Sequence, residues 1–190
     1  SEMCIRDRKY AFAADYIRLY ALYNYGGIYM DMDVEVLKSF DPFLKLKTMI
    51  CFENSKQGLE MATFGVEKGA AWVKECLKYY ENRPFIKADG MLDTVTLPFI
   101  IQQICLKDSY HLEHAYSIEE ALQKEMGSTL AVLSSDFFSP KTTFRDEKIV
   151  LTSNTVSIHH FKGTWLPWYS KIEKRVSNAL GCLLYTSPSP

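Results

Sequence analysis

The chain has 190 residues, of which 47% are hydrophobic, with 22 basic and 23 acidic side chains. This is enough for one ordinary domain with a buried core. The near-zero net charge argues against nucleic acid as a partner, and no apolar run approaches the ~20 residues of a membrane span.

The two ends of the chain are predicted to be foreign to the natural protein. Residues 1–7 (SEMCIRD) and 182–190 (CLLYTSPSP) match translations of the two strands of one sequencing-library transposase adapter. The domain is therefore expected to cover residues 8–181, and the natural protein is expected to extend on the N-terminal side of residue 8. Without the ends, Cys51, Cys76 and Cys105 remain, and the lack of CxxC spacing predicts small buried hydrophobes in a reducing cytoplasm.

The first two elements are predicted by their apolar spacing. Residues 8–25 carry apolar side chains at helical spacing, and Gly26-Gly27 predicts the end of that helix. Residues 26–36, GGIYMDMDVEV, alternate apolar and polar side chains. This alternation predicts a single strand with one apolar face on the core and an opposite face that carries Tyr29, Asp31, Asp33 and Glu35.

The rest of the chain mixes strands and helices. Buried strands are predicted at 47–54 and 61–69, helices at 70–83 and 117–127, and further strands at 148–153 and 155–161. Another helix is predicted to run towards Lys107, with Thr96 as its cap and Pro98 in its first turn. Helices and strands mixed along one compact domain indicate the α/β class.

The acidic face of residues 26–36 suggests a cation site. Carboxylates two positions apart on a strand lie ~7 Å apart and repel by about 2 kcal/mol at an effective dielectric near 20. Such a group becomes favourable around Mg²⁺, Mn²⁺ or Ca²⁺, which prefer oxygen ligands. The alternative is an exposed acidic strand edge that discourages aggregation. Asp15 and Arg18, one helical turn apart, would by themselves indicate a surface ion pair.

A longer block places these residues in a known context. The block AADYIRLYALYNYGGIYMDMDVEVLKSFDPFL, followed by VLSSDFFSPK and NTVSIHHFKGTW, resembles the DxD-containing glycosyltransferases of family 32. That group includes bacterial capsular polysaccharide synthesis enzymes and yeast-type α-mannosyltransferases, and the helix-GG-strand arrangement is similar to that of glucosylating clostridial toxins. The resemblance implies an α/β, Rossmann-like GT-A fold that here lacks its first βα unit, which holds the nucleotide base in relatives.

The resemblance also implies a role for each residue of the block. Asp33 would ligate a Mn²⁺ or Mg²⁺ ion that bridges the donor diphosphate, and Asp31 would contact the donor or bind the ion through water. Asp15 and Arg18 would reach hydroxyls of the donor sugar, with Tyr29 nearby. Arg18 would add counter-charge during bond cleavage, so Arg18, Asp31 and Asp33 are the expected catalytic residues.

A histidine distant in sequence is expected to complete the metal site. In SIHHFKGTW, the order His160-Phe161-x-Gly163 favours His160, whereas strand alternation favours His159, and both stay candidates. Trp165 would either stack on the donor or pack in the core.

The acceptor side is less defined. The segment ADGMLDTVTLP occupies the place where relatives approach the acceptor, so Asp93 and Thr96 are candidates for acceptor contact. Capping a helix is the alternative role for Thr96.

These implications together predict a retaining, divalent-metal-dependent hexosyltransferase. It would move a sugar from a UDP- or GDP-linked donor to a saccharide or lipid-linked saccharide acceptor in bacterial surface polysaccharide synthesis, in the cytoplasm or at the inner face of the membrane. The alternatives are a metal-dependent carbohydrate-binding module and an inactive transferase-like module. A DxD phosphotransferase would need a later Gly-Asp-x-x-x-Asp pair, which KADGMLD does not supply.

Overall fold

The computed structural model describes residues 10–53, 58–81, 83–84, 86–93, 95–107, 110–141 and 149–162. The helices are α1 (Tyr10–Tyr25), α2 (Ala71–Tyr80), α3 (Leu97–Lys107) and α4 (Ile118–Lys124), with a 3₁₀ helix at Asp41–Lys45. The strands are β1 (Gly27–Met30), β2 (Val34–Val36), β3 (Thr48–Phe52), β4 (Leu59–Val66), β5 (His111–Ala115), β6 (Thr129–Leu133) and β7 (Ser157–His159). Within these ranges, no helix is both long enough and apolar enough to span a membrane. The predicted adapter segments lie outside the described residues.

Five of these strands form one mixed sheet in the order β1-β4-β3-β6-β5. The pairs β1–β4 and β4–β3 are antiparallel, whereas β3–β6 and β6–β5 are parallel. Strands β2 and β7 form a separate antiparallel pair. The mixed helices and sheet confirm the α/β class and fit a Rossmann-like glycosyltransferase.

The inner strands β3, β4 and β6 of the main sheet are buried on both faces. Leu130 and Val132 of β6 pack into a cluster with α1, α2 and α3, and the alternate residues Ala131 and Leu133 pack into a second cluster that includes Phe138. Successive side chains of a strand point to opposite faces, so two apolar layers enclose the sheet. This packing holds in place the strand β4, against which β1 and the polar residues that follow it are paired.

Most of the predicted elements are present. The predicted strands at 47–54 and 61–69 correspond to β3 and β4, and the three predicted helices after residue 70 correspond to α2, α3 and α4. The strand predicted at 148–153 is wrong for its described part, because the Thr155 N–H donates to the Thr152 carbonyl at 3.2 Å and closes a turn. Strands β5 and β6 were not predicted, since β5 is short and rich in polar residues (HLEHA).

The prediction of one continuous strand over residues 26–36 is wrong. The Val34 N–H donates to the Asp31 carbonyl at 3.1 Å, so residues 31–33 form a turn between β1 and β2. Met32 at the turn is fully exposed, although the alternation placed it on the core. The turn moves the chain from the main sheet to the β2–β7 pair, and it carries the two aspartates at the junction.

The three internal cysteines are buried, as predicted: Cys51, Cys76 and Cys105. Burial raises the pKa of the Cys51 and Cys76 thiols, which therefore stay protonated near neutral pH. Buried, protonated thiols of this kind are poor nucleophiles and poor metal ligands, so Cys51 and Cys76 act as packing residues.

Candidate functional site

The turn between β1 and β2 brings three ligand-type side chains together. One carboxylate oxygen of Asp31, one of Asp33 and a ring nitrogen of His159 all lie within 4.8 Å of one another. The Asp33 Oδ1 atom lies 3.6 Å from His159 Nε2. The pairing of β2 with β7 causes this meeting, because Val34 lies opposite His159 in the ladder.

Asp33 is held by the chain that follows β7. The His160 N–H donates to the Asp33 carbonyl at 3.1 Å, and the Lys162 N–H donates to Asp33 Oδ2 at 2.8 Å. Between them, Phe161 has φ 51°, a left-handed conformation that bulky residues rarely adopt. Such outliers cluster at functional sites. One oxygen of Asp33 is thus fixed by the backbone, which leaves the other facing His159.

Asp31 is held from the opposite side by Tyr29 and Arg18. The Tyr29 hydroxyl donates to Asp31 Oδ1 at 2.6 Å, and Arg18 Nη1 lies 3.8 Å from the same oxygen. The Arg18 guanidinium also lies 5.1 Å from the centre of the Tyr29 ring. Burial and the hydrogen bond to Asp31 raise the pKa of Tyr29 to about 12, so the phenol remains a donor at neutral pH.

Asp15 and Arg18 form a largely buried ion pair, which corrects the alternative of a surface pair. Asp15 is 5% exposed, and its carboxylate accepts a hydrogen bond from Arg18. Arg18 also donates to the Met61 carbonyl at 2.9 Å. Helix α1 is thereby joined to β4 and to the DxD turn through one guanidinium.

Glu60 of β4 belongs to the same group, although the sequence pattern did not single it out. Its Oε2 atom lies 3.1 Å from His159 Nδ1, on the far side of the imidazole from Asp33. Burial lowers the pKa of His159, but the hydrogen bond and charge of Glu60, with the charge of Asp33, raise it above its ordinary value. The sequence did contain one indication of this role, because Glu60 is the only charged residue in the buried strand LEMATFGV.

The neighbouring His160 and Glu35 lie outside this cluster. His160 Nε2 lies 2.8 Å from Glu35 Oε2, and the Glu35 side chain is 55% exposed. The prediction that Glu35 shares a strand face with Asp31 and Asp33 is wrong, because a turn at residues 31–33 interrupts the strand and the Glu35 carboxylate contacts His160 instead. The structure therefore brings His159 to the aspartates, as strand alternation favoured.

The candidate acceptor residues Asp93 and Thr96 are not among the three ligand-type side chains of the cluster. Asp93 accepts a hydrogen bond from Arg83, whose guanidinium lies 4.1 Å from the centre of the Tyr79 ring on α2. Thr96 is exposed and immediately precedes α3, in agreement with a position at the helix start. Trp165 lies outside the described residues.

The donor set fits a hard divalent cation. Carboxylates are the ligands that Mn²⁺ and Mg²⁺ prefer in proteins, and here two of them lie beside one imidazole nitrogen. Opposite ligands of a Mg²⁺ ion lie about 4.2 Å apart, so atoms within 4.8 Å of one another need only a small side-chain adjustment. Asp31, Asp33 and His159 thus form a candidate divalent-metal site.

Exchanging each histidine for glutamine separates their roles. We expect His159→Gln to weaken Mn²⁺ binding by at least about 10–100-fold, because loss of a ligand costs no less than loss of a residue that orients one. The matched variant His160→Gln should stay within about twofold of the parent chain. Titration of free Mn²⁺ by electron paramagnetic resonance measures both. Weaker binding in His160→Gln alone would assign the ligand to the other histidine.

Comparisons with known proteins agree with this site. Residues 5–50 match the family described as a glycosyltransferase sugar-binding region containing a DXD motif. The matched segment contains one such sequence, Asp31-Met32-Asp33.

Two curated proteins match about a third of the chain. Over 69 residues it is 39% identical to an uncharacterised protein of Arabidopsis thaliana, a match that covers 35% of this chain and 10% of that protein. Over 65 residues it is 32% identical to inositol phosphoceramide mannosyltransferase 3 of Schizosaccharomyces pombe, covering 34% of this chain and 18% of that enzyme. The matched segments thus span between a tenth and a fifth of these relatives. Together, the family match and the yeast relative support a DXD-containing glycosyltransferase.

Proposed function

We propose that this chain carries the metal- and sugar-binding site of a divalent-metal-dependent glycosyltransferase with a GT-A fold. The observation that carries the proposal is the convergence of Asp31, Asp33 and His159 from two distant segments. A solvated acidic edge would not need a histidine delivered by a second strand. The segment 5–50, which matches a family described as a sugar-binding region containing a DXD motif, includes both aspartates.

The residues around the site have separate roles in binding the metal, adding positive charge and positioning side chains. Asp31, Asp33 and His159 would hold Mn²⁺ or Mg²⁺, which supplies Lewis-acid neutralisation of the charge that develops on a departing diphosphate. Arg18 places a second positive charge beside Asp31, and the buried Asp15 orients Arg18. Tyr29 keeps Asp31 oriented through its hydroxyl. Asp15 and Tyr29 therefore act mainly as positioning residues.

The finer assignments follow from the resemblance to family 32. It supports retention of anomeric configuration by front-face substitution, in which the departing diphosphate helps to deprotonate the acceptor. It also supports a UDP- or GDP-linked donor and a saccharide or lipid-linked saccharide acceptor. The name of the yeast relative includes a phosphoceramide, which favours the lipid-linked class. A role in bacterial surface polysaccharide assembly, at the cytoplasmic side of the membrane, rests on the resemblance alone.

Thermal unfolding of the full chain tests the proposal. UDP, GDP and inorganic pyrophosphate would each be added with and without Mn²⁺, pyrophosphate serving as a probe of the diphosphate site without a base. Ligand at about 100 times its Kd adds about 2.7 kcal/mol to the free energy of unfolding and raises the midpoint by several degrees. We expect a rise only when Mn²⁺ and a diphosphate are both present.

Two outcomes would oppose the proposal. A rise with Mn²⁺ alone, unchanged by any diphosphate, favours a metal-dependent carbohydrate-binding module. The absence of any rise with Mn²⁺ and the three diphosphates would contradict a metal–diphosphate site. Repeating the Mn²⁺ series with Mg²⁺ shows which ion the site prefers.

A further inference from the structure

We propose that Glu60 is a positioning residue for the metal site, because it holds His159 in the tautomer that presents Nε2 to the cation. The inference rests on the proposed function, since it assumes that Asp31, Asp33 and His159 bind a divalent ion. The buried Glu60 carboxylate lies outside the segment 5–50 that matches the glycosyltransferase family.

Both oxygens of Glu60 are engaged inside the protein. Glu60 is 3% exposed. Its Oε1 atom accepts the Ala62 N–H at 2.6 Å, and its Oε2 atom lies 3.1 Å from His159 Nδ1. An ionised carboxylate is an acceptor only, so the proton of a neutral His159 ring must lie on Nδ1. A buried carboxylate is tolerated when its oxygens are satisfied in this way.

The opposite ring nitrogen is the one that faces the site. With the proton on Nδ1, His159 Nε2 carries a lone pair, and it lies 3.6 Å from Asp33 Oδ1. Histidines that ligate metals typically donate their second N–H to a carboxylate or carbonyl, which fixes the ring and raises its basicity. Glu60 supplies the carboxylate that accepts this second N–H from His159.

The three consecutive residues 60–62 of β4 hold the whole site together. Glu60 contacts His159, the Met61 carbonyl accepts from Arg18, and the Ala62 carbonyl accepts the Asp31 N–H at 2.8 Å. All eight residues of β4 are buried. A fully buried inner strand therefore sets the relative positions of side chains that come from α1, the turn at residues 31–33 and β7.

Replacing Glu60 by glutamine changes the tautomer without changing the shape. Glutamine has one acceptor oxygen, and the Ala62 N–H, a backbone donor, can be satisfied only by that oxygen. The amide NH₂ then faces His159 Nδ1, which must become an acceptor, so the ring proton moves to Nε2. A donor now points at the metal position, and cation binding is opposed.

The experiment compares Glu60→Gln with Glu53→Gln. Glu53 is a second carboxylate whose charge interacts with that of His159, so its loss reproduces the change in charge while the Glu60 hydrogen bond stays. We expect Glu60→Gln to raise the Kd for Mn²⁺ about 10–100-fold, while Glu53→Gln stays within about threefold. Nitrogen-15 NMR of the neutral His159 ring should show Nδ1–H in the parent chain and Nε2–H in Glu60→Gln.

Each other result decides against the inference. Equal Mn²⁺ affinity in Glu60→Gln and the parent chain overturns it, as does equal weakening by both glutamine variants, which would mean that charge alone acts. If Glu60→Gln does not fold, the parent spectrum decides, because an Nε2–H ring there contradicts the tautomer. A parent chain that binds no Mn²⁺ overturns the proposed function as well, whereas the preceding results leave that function standing.

Discussion

Replacement of Asp33 by asparagine is expected to reduce metal-dependent cleavage of a nucleotide sugar by about 10²–10³-fold, the usual cost of removing one preorganised electrostatic group. The variant keeps the size of the side chain and an oxygen for the Lys162 N–H. It removes the negative charge that faces His159 and the cation. Release of UDP or GDP from the corresponding nucleotide hexoses, with a parallel Mn²⁺ titration, measures the effect.

Glu35→Gln is the matched control for Asp33→Asn. It removes the same charge from the same acidic segment, but Glu35 pairs with His160 on the exposed side of β2. We expect its activity and Mn²⁺ affinity to stay within about twofold of the parent chain. Equal losses in the two variants would mean that the general acidity of this segment, rather than a specific ligand, attracts the cation.

The second large effect is expected from Arg18→Met, which should lower the free energy of unfolding by about 3–5 kcal/mol. The substitution leaves the Asp15 carboxylate, which is 5% exposed, without its cation. Breaking a buried pair by removing one partner is costly, because the remaining charge is neither paired nor hydrated. Urea-induced unfolding followed by far-ultraviolet circular dichroism measures the change.

The double variant Asp15→Leu/Arg18→Met distinguishes stability from function. It should recover most of the lost unfolding free energy, since no unpaired buried charge remains. Binding of diphosphate with Mn²⁺ should stay weak, because the positive charge 3.8 Å from Asp31 is gone. If Arg18→Met unfolds at the same urea concentration as the parent chain, the ion pair does not stabilise the fold.

The α/β class, most of the helices and the identity of the DxD aspartates could be predicted from the amino-acid sequence. These features depend on residues that are close in sequence, such as the helical spacing of apolar residues in α1 and the continuous apolar run of β3. The resemblance carried by residues 26–36 and by the segment SIHHFKGTW also pointed to Asp31, Asp33 and a histidine near residue 160, because it depends on residue types in order and not on their positions in space.

The arrangement of these residues in space depends on long-range contacts that local sequence patterns do not show. The alternation of residues 26–36 continues through a turn, so the local pattern could not show that the chain changes sheets at Asp31. The choice between His159 and His160 depends on the register of β7 against β2, which is set by a pairing between distant segments. The role of Glu60 could not be predicted for the same reason, since its partner His159 lies at the far end of the described chain. Local patterns establish which side chains are available, whereas long-range strand pairing decides which of them meet.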